Sequence, residues 1–225
     1  MVESYPVVFL LDDQAPVVAA LARLLRADGF TVRTFTSAVE FLAAHDSATP
    51  GCLVTDVRMP RLDGLELQHA LLQRGVNRPI VFMTAEGDIP TAVRAMKAGA
   101  VTFLSKPVDR LELIAAVREA FARDAAARSR EQERQDLSDR LATLTPREHQ
   151  VLALVRIGLM NKQIAFELGT SEKTVKAHRT HLLAKMGVST ATALVTLLSH
   201  AESLGLGHQV GSSRGYERRP RVTGA

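Results

Sequence analysis

The sequence has only one cysteine, Cys52, and no long apolar run. Because a single cysteine has no partner within the chain, an internal disulfide framework is excluded and a reducing compartment is expected. No apolar stretch approaches the roughly 20 residues that a membrane-spanning helix needs. The first four residues contain no basic segment leading into an apolar signal core. These absences predict a cytoplasmic protein, and 225 residues are enough for two small domains.

Charge is unevenly distributed along the chain, although the formal net charge is only +4. Residues 1–123 carry 13 Lys or Arg against 14 Asp or Glu, whereas residues 142–225 carry 11 against 5. A basic excess in a small domain is typical of a protein that binds a polyanion, and it also occurs on ordinary solubilising surfaces. The C-terminal part is therefore the candidate region for binding nucleic acid.

Short apolar runs alternate with helical patterns through the N-terminal half. The runs predict strands at 7–11, 31–35, 52–56, 80–84 and 101–104. Helical spacing follows each run, in segments that begin near 16, 37, 65, 89 and 109. Five strands that alternate with helices predict a doubly wound α/β fold, with one parallel sheet covered on both faces.

The remainder of the chain shows no strand pattern. Residues 124–140 are highly charged and contain neither glycine nor proline, which favours a solvated helical linker. Four short helical segments follow between 146 and 200. Residues 205–225 are rich in Gly, Ser and Arg and predict a disordered tail. The predicted domains are therefore 1–123 and 141–204, joined by the helical linker.

Asp56 lies where a buried strand must end, because Pro60 prevents the strand from continuing. Asp12 and Asp13 follow the first strand in the same way. An aspartate after a strand is also a common turn former, so each position alone is weak evidence of a site. Ligands bind at the carboxyl ends of strands in an open parallel sheet, and three adjacent carboxylates repel one another unless a cation or protons neutralise them. Oxygen ligands without Cys or His suit Mg²⁺.

Two further side chains are predicted at the same edge of the sheet. Thr84 and Lys106 follow the next two strands and supply a hydroxyl and an ammonium group. A carboxylate nucleophile, a divalent cation and a lysine are the groups that phosphoryl transfer requires, because the transferred oxygens carry negative charge.

Four segments of the chain resemble, in the same order, the receiver-domain motifs of bacterial response regulators. They are Asp12-Asp13, Thr55–Pro60, Thr84-Ala85 and Ser105–Pro107, and the resemblance covers residues 5–123. It implies a flavodoxin-like receiver fold and a cis peptide bond before Pro107.

The same resemblance implies roles for single residues. Asp56 would accept a phosphoryl group from a sensor histidine kinase, and Thr84 and Lys106 would bind its oxygens. Asp12, Asp13, Asp56 and the backbone carbonyl of Arg58 would hold Mg²⁺. Phe103 matches the family's aromatic switch position, and an ordinary core phenylalanine is equally consistent with its strand.

A helix, a turn containing Gly169 and a second helix are predicted over 161–186. Ser171 is the expected cap of the second helix, and helical periodicity directs Val175, Leu182 and Met186 inward and a basic face outward. A second helix of this kind enters the major groove of DNA, although a basic helical face is often only solvated. The expected DNA contacts are Lys176, Ala177 and Thr180 to bases, and Lys173, Thr174 and Arg179 to phosphates.

The C-terminal part resembles the LuxR-type helix-turn-helix domain, in the branch represented by FixJ. The resemblance covers residues 141–203 and includes Leu144–Glu148, Gly158–Ala165, Thr174–Arg179 and Lys185–Val188. Combined with the receiver, it implies a two-component response regulator of the FixJ/NarL class that binds promoter DNA as a phosphorylation-induced homodimer. RNA polymerase is expected as a further partner.

Two other functions remain open on the sequence. A Mg²⁺-dependent phosphohydrolase would use Asp56 covalently, but no extra loop is predicted to enclose a substrate. A phosphorylation-independent DNA-binding protein would retain a vestigial receiver, which the complete acidic set argues against. The expectation is therefore a transcription regulator whose only enzymatic activity is its own phosphorylation and slow dephosphorylation.

Overall fold

The structure, a computed structural model, describes residues 5–85 and 89–211 and divides into two compact units after Arg128. The first unit contains the strands β1 (Val7–Leu11), β2 (Thr31–Phe35), β3 (Gly51–Asp56), β4 (Ile80–Thr84) and β5 (Thr102–Ser105). Its helices are α1 (Ala15–Ala27), α2 (Ala38–Ala44), α3 (Gly64–Gln73), α4 (Ile89–Lys97) and the first part of α5 (Arg110–Ala142). The second unit contains the end of α5 and α6 (Pro146–Arg156), α7 (Asn161–Glu167), α8 (Glu172–Met186), α9 (Ala191–Ser203) and α10 (Gly207–Gly211).

The five strands form one parallel sheet in the order β2-β1-β3-β4-β5. The central strands β1, β3 and β4 are buried along their whole length, which explains their uninterrupted apolar runs. Successive residues of β1 enter separate cores, with Val8 and Leu10 on one face and Phe9 and Leu11 on the other. The predicted doubly wound α/β fold is confirmed.

A buried polar cluster holds the amino-terminal edge of the sheet to α5. The backbone N–H of Gly51 and Arg128 Nε both donate to Asp124 Oδ2 at 2.8 Å. Arg78 donates from Nη1 to the Gly51 carbonyl at 3.1 Å. A Cβ atom at position 51 would lie 1.9 Å from the Val7 carbonyl oxygen, so only glycine fits there. Residues 124–128 therefore pack with the first unit, beyond its predicted end at residue 123.

The predicted helical linker, 124–140, lies within the single continuous helix α5. Its C-terminal part contributes Leu137 and Leu141 to the core of the second unit. Arg140 Nη1 also donates to the Met186 carbonyl at 3.4 Å. The charged segment of α5 is therefore helical throughout, and each of its ends is packed in a different unit.

The prediction of a disordered tail from residue 205 is wrong for residues 205–211. Those residues form a turn and the short helix α10, which adds a helix to the four predicted between 146 and 200. Leu206 and Val210, one helical turn apart, are 1% and 3% exposed and belong to the second core. Burial of this apolar pair outweighs the surrounding glycines. The rest of the predicted tail, 212–225, lies outside the described residues.

Within the described part of the chain, no single helix is long and apolar enough to cross a membrane. The pair α8 and α9 meets the length and composition criteria only when both helices are taken together across a 51° bend. Both helices contribute buried side chains to the second core.

Candidate functional site

Three carboxylates meet at the carboxyl-terminal edge of the sheet. Asp12 and Asp13 follow β1, and Asp56 is the last residue of the adjacent strand β3. One carboxylate oxygen from each residue lies within 4.8 Å of the other two. Asp12 is fully buried and Asp56 is 6% exposed, whereas Asp13 faces solvent. The structure therefore brings together the three aspartates that the sequence placed at one site.

Lys106 joins two of these carboxylates. Its Nζ donates to Asp12 Oδ2 at 2.6 Å and lies 3.0 Å from Asp56 Oδ2. The residue follows β5, and its backbone N–H donates to the Thr84 carbonyl at 2.7 Å. The peptide bond between Lys106 and Pro107 is cis, as expected. In the unmodified protein, Lys106, which was predicted to bind a phosphoryl group, contacts both the phosphoacceptor candidate Asp56 and the adjacent carboxylate of Asp12.

The protonation of the site follows from burial and charge. Burial raises the pKa of Asp56, and the nearby Asp12 carboxylate raises it further, while the hydrogen bond and charge of Lys106 lower it without cancelling the increase. Burial lowers the pKa of Lys106, but the two aspartates outweigh that effect and the net shift is upward. The positive charge of Lys106 therefore does not fully offset the cost of burying the Asp56 carboxylate beside Asp12.

A divalent cation is chemically suited to this group of ligands. Asp12, Asp13 and Asp56 offer only oxygen atoms, which favours Mg²⁺ over softer metals. Asp13 is exposed and leaves the site open to a hydrated ion. Arg58 lies in the loop after β3, two residues beyond Asp56. The role of its backbone carbonyl as a metal ligand stays a prediction.

The loop after Asp56 depends on a glycine, Gly64, that was not among the predicted site residues. A Cβ atom on Gly64 would lie 2.5 Å from the Asp56 carbonyl oxygen, and the Gly64 N–H donates to the Val57 carbonyl at 2.8 Å. Asp63 and Glu66 close the start of α3 as a reciprocal capping box. The capping-box spacing is visible in the sequence, whereas the close approach of α3 to β3 is not. Gly64 therefore fixes the loop next to the phosphoacceptor candidate.

Thr84 and Phe103 occupy the predicted strands. Thr84 ends β4 with 7% exposure, which places its hydroxyl at the same edge as Asp56. Phe103 is partly buried in β5 and stacks on Phe82, with ring centroids 5.2 Å apart. Phe103 thus has a packing role in this form of the protein, and its role as a switch stays a prediction.

The second unit contains the predicted helix-turn-helix. Helix α7, a turn with Gly169 at φ +60°, and α8 follow one another. Ser171 caps α8 by accepting a hydrogen bond from the Thr174 N–H at 3.1 Å, as predicted. Val175, Leu182 and Met186 are fully buried, which confirms the predicted inward face of the helix.

The outward face of α8 is basic and polar. Five predicted contact residues are exposed there: Lys173, Thr174, Lys176, Ala177 and Thr180. Arg179 is only partly exposed, because its Nη1 donates to Asn161 Oδ1 at 2.8 Å and so ties α8 to the start of α7. His181 is also exposed one residue after Thr180 and was not among the predicted contacts, although helical spacing from Ala177 would have identified it.

Two family models match the chain. Residues 8–118 match the response regulator receiver domain, and residues 142–198 match the bacterial regulatory proteins of the luxR family. The chain is 44% identical over 197 residues to the transcriptional regulatory protein FixJ of Azorhizobium caulinodans, covering 88% of this chain and 93% of that protein. It is 43% identical to the response regulator protein TodT of Pseudomonas putida, covering 87% and 86%.

Solved structures give the same result. The response regulator StyR superposes with a TM-score of 0.82 at 45% identity, covering 87% of this chain and 99% of that one. Full-length FixJ from B. japonicum matches with a TM-score of 0.55 at 39% identity, covering 88% and 98%. Both similarities extend over the receiver-like and the helical unit.

Proposed function

Because this chain belongs to the bacterial response regulators that join a receiver domain to a LuxR-type DNA-binding domain, we propose that phosphorylation of Asp56 controls its binding to promoter DNA. Its family consists of two-component transcription regulators rather than metabolic enzymes. The observation that carries the proposal is the contact of Lys106 with both Asp12 and Asp56 at an edge that also holds Asp13. This arrangement supplies a nucleophile, a metal-binding group and a cation for the incoming phosphoryl oxygens.

The transfer step uses the side chains at this edge. A carboxylate oxygen of Asp56 attacks the phosphorus of a phosphohistidine on the sensor kinase; the O–P bond forms as the P–N bond breaks, and the histidine nitrogen keeps the electron pair. When bound by Asp12, Asp13, Asp56 and the Arg58 carbonyl, Mg²⁺ supplies positive charge that neutralises the phosphoryl oxygens. Lys106 exchanges its carboxylate partner for a phosphoryl oxygen, and the Thr84 hydroxyl donates to another.

The added charge is the signal. Phosphorylation replaces the single negative charge of the Asp56 carboxylate with an acyl phosphate that carries nearly two, and Thr84 and Lys106 move toward it. Phe103 repacks as α4 and β5 shift, and the altered face forms a homodimer. Dimerisation places two copies of α8 on adjacent half-sites of the promoter, where RNA polymerase is the further partner.

The first test is Asp56→Asn. The variant keeps the size of the side chain but lacks the nucleophilic carboxylate, so labelling by radioactive acetyl phosphate should disappear. The stimulation of DNA binding by acetyl phosphate should disappear with it. Asp46→Asn, at an exposed aspartate of the same unit, is the matched control and should be labelled normally. Labelling that survives in Asp56→Asn would place the acceptor on another residue.

The DNA half of the proposal is tested by two lysines on one exposed helical face. Lys176→Ala should reduce affinity for the preferred site and relax its base specificity by roughly 1–3 kcal/mol. Lys173→Ala should weaken binding to all sequences alike and reduce the slope of log K against log salt by about 0.9. Sites selected from random DNA with acetyl phosphate present would provide the ligand. If both variants bind as the wild-type protein does, α8 is not the helix that enters the groove.

The same experiments separate the rival functions. Equal affinity for selected DNA with and without acetyl phosphate, in a protein that is still labelled, would indicate a vestigial receiver. Sustained turnover of small phosphate esters would indicate a phosphohydrolase.

A further inference from the structure

The α4 side chains that the structure describes bury little apolar surface against the rest of the unit. Among the α4 side chains that the structure describes, only Thr91 and Ala95 are buried. Helix α1, by contrast, buries Val18, Leu21 and Leu25. Stabilisation by burial scales with apolar area, so the small buried side chains of α4 contribute much less than the branched side chains of α1. Specific polar contacts therefore account for a larger share of what holds α4 in place.

One such contact comes from Gln68 on α3. The side chain is 4% exposed, and its Nε2 donates to the Ala98 carbonyl at 3.1 Å and, more weakly, to the Ala95 carbonyl at 3.4 Å. Carbonyls in the last turn of a helix have no partner within the helix, so this amide caps the C-terminal end of α4 from a neighbouring helix. Ala95 also accepts from the Ala100 N–H at 3.0 Å, which places the cap at the connection to β5.

The position of this cap connects it to the phosphoacceptor edge. The chain passes from Ala98 through Val101, whose N–H donates to the Ile80 carbonyl at 2.7 Å, into β5. That strand contains Phe103 and leads to Lys106. A movement of β5 toward a phosphoryl group therefore pulls on the end of α4 that Gln68 holds.

We propose that Gln68 is a positioning residue that holds α4 in its unphosphorylated place and so sets the basal activity of the regulator. The proposal rests on the phosphorylation-dependent function above and names one determinant of its off state. Because Gln68 binds α4 in the unmodified protein, its two hydrogen bonds favour that form, and the active form is reached only when they break. Phosphorylation must supply the free energy that their loss requires.

The test is Gln68→Met, which keeps the length of the side chain and removes both donors. One net hydrogen bond corresponds to about a fivefold change in an equilibrium constant, so DNA affinity without acetyl phosphate should rise about fivefold. Affinity with acetyl phosphate should change less than about twofold, because nearly all of that protein is already active. The matched control is Gln73→Met on the same helix, where the amide is exposed and forms a hydrogen bond with His69. It should change neither affinity.

Combination with Asp56→Asn separates this inference from the proposed function. The gain in basal affinity should persist in Gln68→Met/Asp56→Asn, because it does not require the phosphoryl group. If Asp56→Asn abolishes labelling while Gln68→Met behaves as Gln73→Met does, the positioning role is wrong and the proposed function stands. If both affinities fall together and their ratio is unchanged, Gln68 is only a structural residue, and the proposal is also overturned.

A measurement on the wild-type chain covers the case in which the variant fails to fold. The side-chain amide protons of Gln68, observed by NMR, should exchange slowly with solvent in the unmodified protein and quickly after acetyl phosphate is added. Protection that is the same in both states would mean that the bonds to α4 do not break on activation.

Discussion

Each unit contains a buried carboxylate paired with a lysine, and the two pairs have opposite electrostatic properties. In the first unit Asp56 lies 3.0 Å from Lys106, and in the second Glu148 lies 2.7 Å from Lys185. The carboxylates are similarly buried, with 6% and 3% exposure. The pKa of Asp56 is nevertheless raised, whereas that of Glu148 is lowered.

The difference comes from the other neighbours of each carboxylate. Burial raises the pKa of Glu148, but Lys185 and the backbone and hydroxyl donors of Thr145, at 2.8 and 3.0 Å, outweigh it. Asp56 shares its lysine with Asp12, so burial and a second negative charge prevail there. A fully compensated carboxylate stabilises the fold, whereas an under-compensated one is stabilised further by an added cation. The Glu148 pair therefore stabilises its unit, whereas the Asp56 site keeps negative charge that an added cation would neutralise.

The largest expected effect is that two amide substitutions change the free energy of unfolding of their units differently. Glu148→Gln removes the charge that Lys185 and Thr145 stabilise, so the free energy of unfolding of the second unit should fall by about 2 kcal/mol. Asp56→Asn removes an under-compensated charge, so the first unit should be unchanged or up to about 1 kcal/mol more stable. Hydrogen exchange of the full chain, followed by mass spectrometry of peptides from each unit, measures both values.

Each variant serves as the control for the other, because each acts in a different unit. Glu148→Gln should still be labelled by acetyl phosphate, since its carboxylate lies outside the receiver unit. A loss of stability in Asp56→Asn that equals the loss in Glu148→Gln would show that both pairs are structural and would remove the contrast.

The second effect is the response to magnesium. Because Asp12, Asp13 and Asp56 gain a counter-ion, Mg²⁺ at ten times its Kd should stabilise the first unit by about 1.4 kcal/mol. The second unit should not respond. Lys106→Met should increase the response, because it removes the cation that competes with the metal for these oxygens. Unit-resolved hydrogen exchange with and without MgCl₂ provides the measurement, and an equal response of the two units would indicate nonspecific salt stabilisation.

The sequence predicts one of these pairs and not the other, for a physical reason. Asp56 ends one strand and Lys106 follows another strand of the same parallel sheet, and parallel strands end at a common edge. Their proximity was therefore predictable from strand positions alone. Glu148 has the spacing of a capping box with Thr145, but Lys185 is 37 residues away on another helix. The packing of the helices determines which helix contacts Glu148, and sequence periodicity does not predict that packing.

The same limit explains the other features that sequence reasoning missed. Asp124 meets the Gly51 N–H across 73 residues, and Gln68 meets Ala98 across 30. Both are polar contacts between elements whose own patterns are satisfied without them. The inward face of α8 was predictable because it needs only the 3.6-residue period of a helix. The burial of Leu206 and Val210 was not, because a five-residue helix has too few apolar positions to show a period.

The smallest expected effect is the pH dependence of the difference in stability between each amide variant and the wild-type protein. Glu148 has a pKa below its ordinary value of 4.5, so the stability that it contributes is present above 4.5 and is lost as pH falls through its lowered pKa. The deficit of Glu148→Gln should therefore shrink only below pH 4.5. Asp56 has a pKa above its ordinary value of 3.8, so the folded protein takes up a proton before the unfolded chain does. Any stability advantage of Asp56→Asn should accordingly shrink as pH falls through the raised pKa of Asp56 toward 3.8. Unit-resolved unfolding at a series of pH values without magnesium measures both differences, and a stability deficit of Asp56→Asn that shrinks as pH falls would mean that Lys106 compensates Asp56 fully.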